Sequence, residues 1–258
     1  MNKLITIILL GLLFACNSSK RPENMGLFNR IKKQKAEHKD IEIQYDLSDS
    51  NLGKLNEIEI GNIQLPTGKI IASDPFFSQS IKPFSRTVKP GVYPVKIYIA
   101  EIEPEHYRIA FAKIKFQHDK ATNWVLAVSE DMKIDDLMNL KDGEYFGFPV
   151  DAGLGCFMDE KTNESFLSKM ALFYKDNPDK NYYDDLLADE FAKYSAGNRY
   201  SRDLGDWNNH VLNDTSELNV IMFASGWGDG YYPCYWGYNS KKEIVDLTID
   251  FLIDLDGK

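Results

Sequence analysis

The chain has 258 residues, with 30 Lys plus Arg against 39 Asp plus Glu, a formal net charge of −9, and 43% hydrophobic residues. This composition excludes a wholly disordered or fibrous chain. The acidity argues against nucleic acid, and against an anionic membrane surface, as the main partner.

Lys3 precedes an apolar run from Leu4 to Phe14. The run is too short for a hydrocarbon core of about 30 Å, which takes roughly 20 helical residues, and it suits the central region of a signal peptide. Its end, Leu13-Phe14-Ala15-Cys16, resembles a bacterial lipobox, in which a small residue precedes a Cys that accepts the lipid. Residues 1–15 are therefore expected to be a lipoprotein signal peptide and Cys16 the lipid attachment site. The expected location is the cell envelope, with the chain anchored in a lipid bilayer on the periplasmic side or the cell surface. An ordinary cleaved signal with an incidental Cys is the alternative. Two further cysteines follow, Cys156 and Cys234. An oxidising envelope permits a disulfide between them; two buried thiols acting as small hydrophobes is the other reading.

Residues 16–40 read as a tether with a short basic helix within Met25–Asp40, and residues 41–258 as a single domain. Strands are expected around Ile58–Leu65, Lys69–Ala72, Val92–Ala100, Tyr107–Phe116 and Asn123–Val128, where β-branched and aromatic residues alternate. The alternation predicts antiparallel strands with one solvated face. The period then changes. Asn163–Tyr174 and Tyr182–Tyr194 read as helices, the second with Leu186, Leu187, Phe191 and Tyr194 at helical spacing and Asp184 and Asp185 near its start. Residues 195–216 read as a long polar loop. Strands return at Leu218–Ala224, Tyr231–Tyr238 and Ile244–Leu255. The fold class expected is α+β: a mostly antiparallel, sandwich-like domain with two or three helices inserted in the middle.

Three segments stand out: Pro66-Thr67-Gly68-Lys69 with Asp74-Pro75 and Gly91-Val92-Tyr93-Pro94-Val95; Val150-Asp151-Ala152-Gly153-Leu154-Gly155-Cys156-Phe157-Met158-Asp159; and Gly226-Trp227-Gly228-Asp229-Gly230-Tyr231-Tyr232-Pro233-Cys234-Tyr235-Trp236-Gly237. Together they resemble the bacterial family catalogued as domain of unknown function 4241, over roughly Ile58–Leu255. Cys234 stands where that family is expected to carry Thr, so a disulfide to it is not implied by the resemblance. The resemblance implies a domain type and no reaction.

Asp151, Asp159 and Asp229 are carboxylates in Gly-rich surroundings. Carboxylates with nearby carbonyls suit a hard cation such as Ca²⁺, paired carboxylates suit a hydrolase, and Asp beside Gly also simply caps tight turns. Asp46 to Glu57 echoes a calcium loop, with Asn51 where Gly is usual. If the final segment is a strand, Gly226, Gly228 and Gly230 share one face and Trp227, Asp229 and Tyr231 the other. Its aromatics are then either core or a platform for a glycan or protein. His38, His106, His118 and His210 are scattered and read as surface residues, with no zinc-helix spacing. No other cofactor is indicated. The functional expectation is a membrane-anchored binding or interaction module of the envelope, its candidate residues Asp151, Asp159, Trp227 and Asp229. The alternatives are a hydrolase using the three aspartates, and a protective or inhibitory partner of another protein.

Overall fold

The computed structural model describes residues 55–255, apart from 134, 137–138, 142–143, 203–204 and 214–216, together with the backbone of 32–34 and 42–45. The expected signal peptide, Cys16, most of the expected tether and residues 46–54 of the calcium-loop echo lie outside the described residues. Glu57, the last residue of that echo, is a strand residue whose carboxylate accepts from Lys96 Nζ at 2.6 Å.

The strands are β1 (Lys32–Gln34), β2 (Glu42–Tyr45), β3 (Asn56–Leu65), β4 (Ile70–Ser73), β5 (Gly91–Glu103), β6 (His106–Lys115), β7 (Asn123–Leu126), β8 (Phe148–Val150), β9 (Leu154–Asp159), β10 (Trp207–Val211), β11 (Asn219–Ala224), β12 (Gly230–Tyr232), β13 (Cys234–Tyr238) and β14 (Ile244–Asp250). The helices α1 (Glu160–Asp176) and α2 (Ala188–Tyr194) sit between β9 and β10, with a π-helical turn at Tyr183–Leu187 leading into α2. Every strand pairing is antiparallel. The fold is therefore α+β, mostly antiparallel, with its helices in the middle of the chain as the periodicity requires.

Three sheets form, ordered β1-β2-β7-β13-β14-β6-β5-β3, β10-β11-β9-β4 and β12-β8. The large and the four-stranded sheets face one another. Ile97, Ile114, Leu247, Ile249 and Trp236 of the first meet Ile70, Phe157, Ile221 and Phe223 of the second. The odd-numbered apolar residues of β11, Ile221 and Phe223, point into this layer. The even-numbered Val220 and Met222 point the other way, onto Phe166, Tyr182, Leu187 and Phe191 beneath the helices. The four-stranded sheet is thus buried on both faces, which is why Asn219–Ala224 reads as a nearly unbroken apolar run.

Several sequence expectations are corrected here. Residues 32–34, inside the proposed basic helix, form an edge strand paired with β2. The outer face of the large sheet is not solvated throughout: Tyr98, Phe111, Trp124 and Tyr235 cluster on it, and Lys113 lies buried there beside Asp246 and over the Tyr98 ring. The expected loop 195–216 contains β10. Its signature was hidden because the buried residues Asn208 and His210 are polar and depend on a helix for their partners. Tyr231–Tyr238 is two strands in different sheets, broken at Pro233, which lacks the N–H a continuous ladder needs.

Cys156 and Cys234 are free thiols. Cys156 faces the helices and Cys234 faces the inter-sheet core, on opposite sides of the four-stranded sheet, so of the two readings the disulfide gives way to two buried thiols. Burial pushes the Cys156 thiol up to about 12, and burial also pushes the Cys234 thiol up. Both should stay unlabelled by iodoacetamide at pH 8 until denaturant is added. Peptide mass spectrometry reporting labelling of either one in the native protein contradicts this packing.

Candidate functional site

The short ribbon β8–β12 organises one end of the sandwich. Its register pairs Val150 with Gly230 and Phe148 with Tyr232. One step beyond the Val150–Gly230 pair, the chain leaves through Asp151 on one side and Asp229 on the other, so these two exposed carboxylates share one end of the molecule. Asp159 does not join them. It ends β9, five residues past Leu154, or about 16 Å at the usual strand rise. It is fully buried, accepts from Lys161 N as the N-cap of α1, and accepts from Thr67 N and Oγ1 at 2.9–3.0 Å. Its role is to cap a helix and anchor a turn. The three-aspartate cluster is not assembled, and among the described residues no three His, Cys, Asp or Glu side chains converge as a metal site.

The residue that fixes the 151–153 loop is Asp74. It is fully buried, and its carboxylate accepts from Phe76 N at 2.9 Å, Asp151 N at 3.0 Å and Ala152 N at 2.7 Å. The sequence signal for it was the Asp-Pro step, which places a carboxylate at the mouth of the short 3-10 turn Pro75–Ser80. The loop in turn holds the next one: Ser225 N donates to Gly153 O.

Residues 225–229 form a tight turn rather than a strand. Gly226 and Gly228 have φ of +55° and +104°, left-handed values that an L side chain resists. A Cβ on Gly226 would also lie 2.9 Å from Phe251 Cβ. The expected glycine face is therefore a turn closed by Ser225 Oγ, which donates to Gly228 O, and by Tyr232 OH, which reaches Ser225 O and Gly228 O. The aromatics divide accordingly. Tyr232, Tyr235 and Trp236 are core, whereas Trp227 is 58% and Tyr231 44% exposed. Tyr231 stacks on Tyr145 and borders a cleft of about 330 Å³ together with Phe84, Phe148 and Lys82.

The turn presses Trp227 against β6. Its indole meets the His106 ring edge-on at 6.0 Å, and the Arg108 guanidinium lies 5.1 Å from its centroid. Arg108 is half-buried; burial and the charge of Arg202 pull its guanidinium below the ordinary range, with Asp206 acting the other way. Arg202 Nε donates to Asp206 Oδ1 at 2.7 Å. Arg199 lies 4.6 Å over the Tyr200 ring, which packs edge-on against Tyr107. A small hollow of about 10 Å³, the size of one water, lies among Tyr107, Arg108, Tyr200, Arg202 and Gly226.

This arrangement draws on residues 66–69 and 74–75, 150–159 and 226–237 of the combined motif, and a family model matches the chain over residues 63–249. The chain belongs to the DUF4241 family, described as proteins of unknown function. Neither the curated proteins nor the solved structures give a match to it. In this DUF4241 domain the motif residues split between scaffold and surface: Asp74, Asp159, Gly226 and Tyr232 hold loops in place, and Trp227, Asp151 and Asp229 are what those loops display.

Two further groups carry little signal in the sequence. Arg108, Arg199 and Arg202 are three of the six arginines of the chain; the Tyr107-Arg108 and Arg199-Tyr200 dipeptides were the available signal. The second group surrounds His210, which was expected at the surface and is 1% exposed. Its Nδ1 donates to Glu190 Oε2 at 2.8 Å, so Nε2 accepts from Tyr182 OH at 3.2 Å. Lys169 Nζ stands 3.5 Å from Nε2 and donates to Leu212 O. Glu190 also accepts from Asn208 Nδ2 at 2.8 Å. With both ring nitrogens engaged, this network ties α1 and α2 to β10.

Proposed function

We propose that this protein is a lipid-anchored binding module of the bacterial cell envelope, and that the Trp227 turn is its contact surface. The observation that carries the reading is Trp227 itself: a large aromatic, 58% exposed, mounted on a turn that Ser225, Tyr232 and two left-handed glycines make rigid. A pre-set aromatic beside an arginine is the usual composition of a binding hot spot, because little conformational entropy is lost on contact. The anchor rests on the Leu13-Phe14-Ala15-Cys16 sequence and the apolar run before it. Among the described residues no helix is long and apolar enough to cross a membrane. The separation of Asp159 from Asp151 and Asp229 favours binding over hydrolysis by those carboxylates.

Two measurements test the two halves. Cys16→Ser is expected to move the full-length protein from the membrane to the soluble fraction of the cell; unchanged fractionation removes the anchor. A photo-crosslinking amino acid at position 227 of the full chain, in the native cells, is expected to give one discrete adduct. The same amino acid at exposed Leu172 on α1, far along the chain from the turn, should give none. Equal or absent adducts at both positions remove the contact surface.

A further inference from the structure

The cleft beside Tyr231 has a volume of about 330 Å³, within the range of about 300–1,000 Å³ usual for small-molecule sites. Its floor is small and apolar, with Ala127 and Cys234 buried in it. Its walls are aromatic: Phe84, Phe146, Phe148 and Tyr231. Both sides are held by hydrogen bonds. Phe84 N donates to Ile70 O, Ser85 N to Val128 O and Glu130 N to Pro83 O, each at 2.9 Å. Across the cleft, Tyr145 stacks on Tyr231, and its hydroxyl donates to Tyr231 O at 3.1 Å. Gly147 lies so close to β12 that a Cβ on it would stand 2.2 Å from Tyr232 O. The cleft is therefore preformed, and filling it orders little of the protein.

The rim supplies charge of both signs. Lys82, Asp131, Lys133 and Asp136 line it, and all four are exposed. Ser129 Oγ donates to Asp131 Oδ1 at 2.6 Å and holds that carboxylate in place. Among the described residues neither Lys82 nor Lys133 makes an ion pair. A ligand with a lone carboxylate meets two aspartates along with the two lysines, in a chain of net charge −9. A lone amine meets two lysines along with the two aspartates. A ligand that carries both charges is complementary to the whole rim. The aromatic walls favour a ring below it, because ring pairs gain from edge-to-face and offset contact beyond the area they bury.

We infer that this cleft binds a free aromatic α-amino acid, its ring against Phe84, Phe148 and Tyr231, its ammonium toward Asp131 and its carboxylate toward Lys82 and Lys133. The site goes beyond the contact surface proposed above, and Trp227 does not line it.

The test titrates the full-length protein in detergent, by calorimetry, with L-phenylalanine and four analogues that each lack part of it. These are 3-phenylpropionate (no amine), phenethylamine (no carboxylate), N-acetyl-phenylalanine amide (neither charge) and L-alanine (no ring). Phenylalanine is expected to bind at least about five-fold more tightly than the first three, the size of one partly exposed ion pair. It should bind at least about ten-fold more tightly than alanine, which leaves the aromatic walls uncovered. Asp131→Asn keeps an oxygen for Ser129 Oγ and should erase the preference over 3-phenylpropionate. Lys82→Gln combined with Lys133→Gln should erase the preference over phenethylamine. These rim positions are exposed, so the melting temperature should stay within about 2 °C of wild type. Tyr231→Ala should weaken every ligand that carries a ring. Absence of saturable phenylalanine binding to the wild type, equal or tighter binding of any analogue, or unchanged selectivity in the rim variants each overturns the inference. None of these readouts uses Trp227, so failure here leaves the Trp227 contact surface standing, and loss of the position-227 crosslink leaves the cleft standing.

Discussion

Asp74→Ala is expected to lower stability by about 3–5 kcal/mol and to unfasten the end of the molecule that displays Trp227. The carboxylate serves three backbone N–H groups from two segments about 77 residues apart, at 2.7–3.0 Å. Hydrogen bonds to a charged group contribute roughly 1.5–3 kcal/mol each, and a buried donor left without its acceptor costs a similar amount. For a domain of this size that loss lowers the melting temperature by on the order of 10 °C. Asp74→Asn keeps one carbonyl oxygen and turns an amide toward one of the three donors, so its cost should fall between wild type and Ala. Amide exchange gives the local signature: Asp151 N–H and Ala152 N–H should lose protection in Asp74→Ala, and Ser225 N–H, bonded to Gly153 O, should follow. A loss under about 1 kcal/mol, or unchanged protection at these three amides, would show that other contacts fix the loop.

The second large effect is expected in the network under the helices. His210→Leu leaves the buried Tyr182 OH without its acceptor and the half-buried Glu190 carboxylate without one of its donors, at a cost of about 2–4 kcal/mol. Denaturation should then show weakened attachment of α1 and α2, which this cluster and Lys169 tie to β10. The network also sets an acid limit. Burial alone would raise the Glu190 carboxyl, but hydrogen bonds from His210 and Asn208 and the nearby charges of His210 and Lys169 outweigh it and hold the group below its ordinary 4.5. A depressed carboxyl stabilises the fold fully above the unfolded-state value. That contribution is lost as pH falls from about 4.5 through the lower folded-state value. Glu190→Gln should therefore be less stable than wild type at pH 7, with the difference shrinking progressively below pH 4.5. A constant difference across that range would mean that Glu190 is not the group being titrated.

These two effects explain why the site was only partly legible. Trp227, Asp151 and Asp229 were found because glycine-rich aromatic segments stand out along a chain. Their arrangement is not legible in the same way, because alternating glycines suit a strand as well as a turn. Only the approach of Phe251 and the φ values of Gly226 and Gly228 make the segment a turn. Asp159 looked like Asp151, a carboxylate next to a motif. What separates them is burial and the partners Thr67 and Lys161, one of them 92 residues away. His210 lay in a stretch so polar that it read as a loop, since the glutamate that makes a buried histidine tolerable arrives from a helix 20 residues earlier.

By itself the sequence determined the class of the fold. Period-2 runs of β-branched and aromatic residues, interrupted once by two 3.6-period segments, leave few ways to bury the apolar residues other than antiparallel sheets with helices laid on one of them. The family likewise follows from the sequence, because short motifs are linear. The tertiary structure decided which face each strand shows to which layer, that Cys156 and Cys234 lie on opposite sides of a sheet, and that Arg108, distant along the chain, packs over one exposed tryptophan. Those outcomes depend on contacts between residues tens to more than a hundred positions apart, and local pattern carries no information about which distant partner will satisfy a charge or cover a ring.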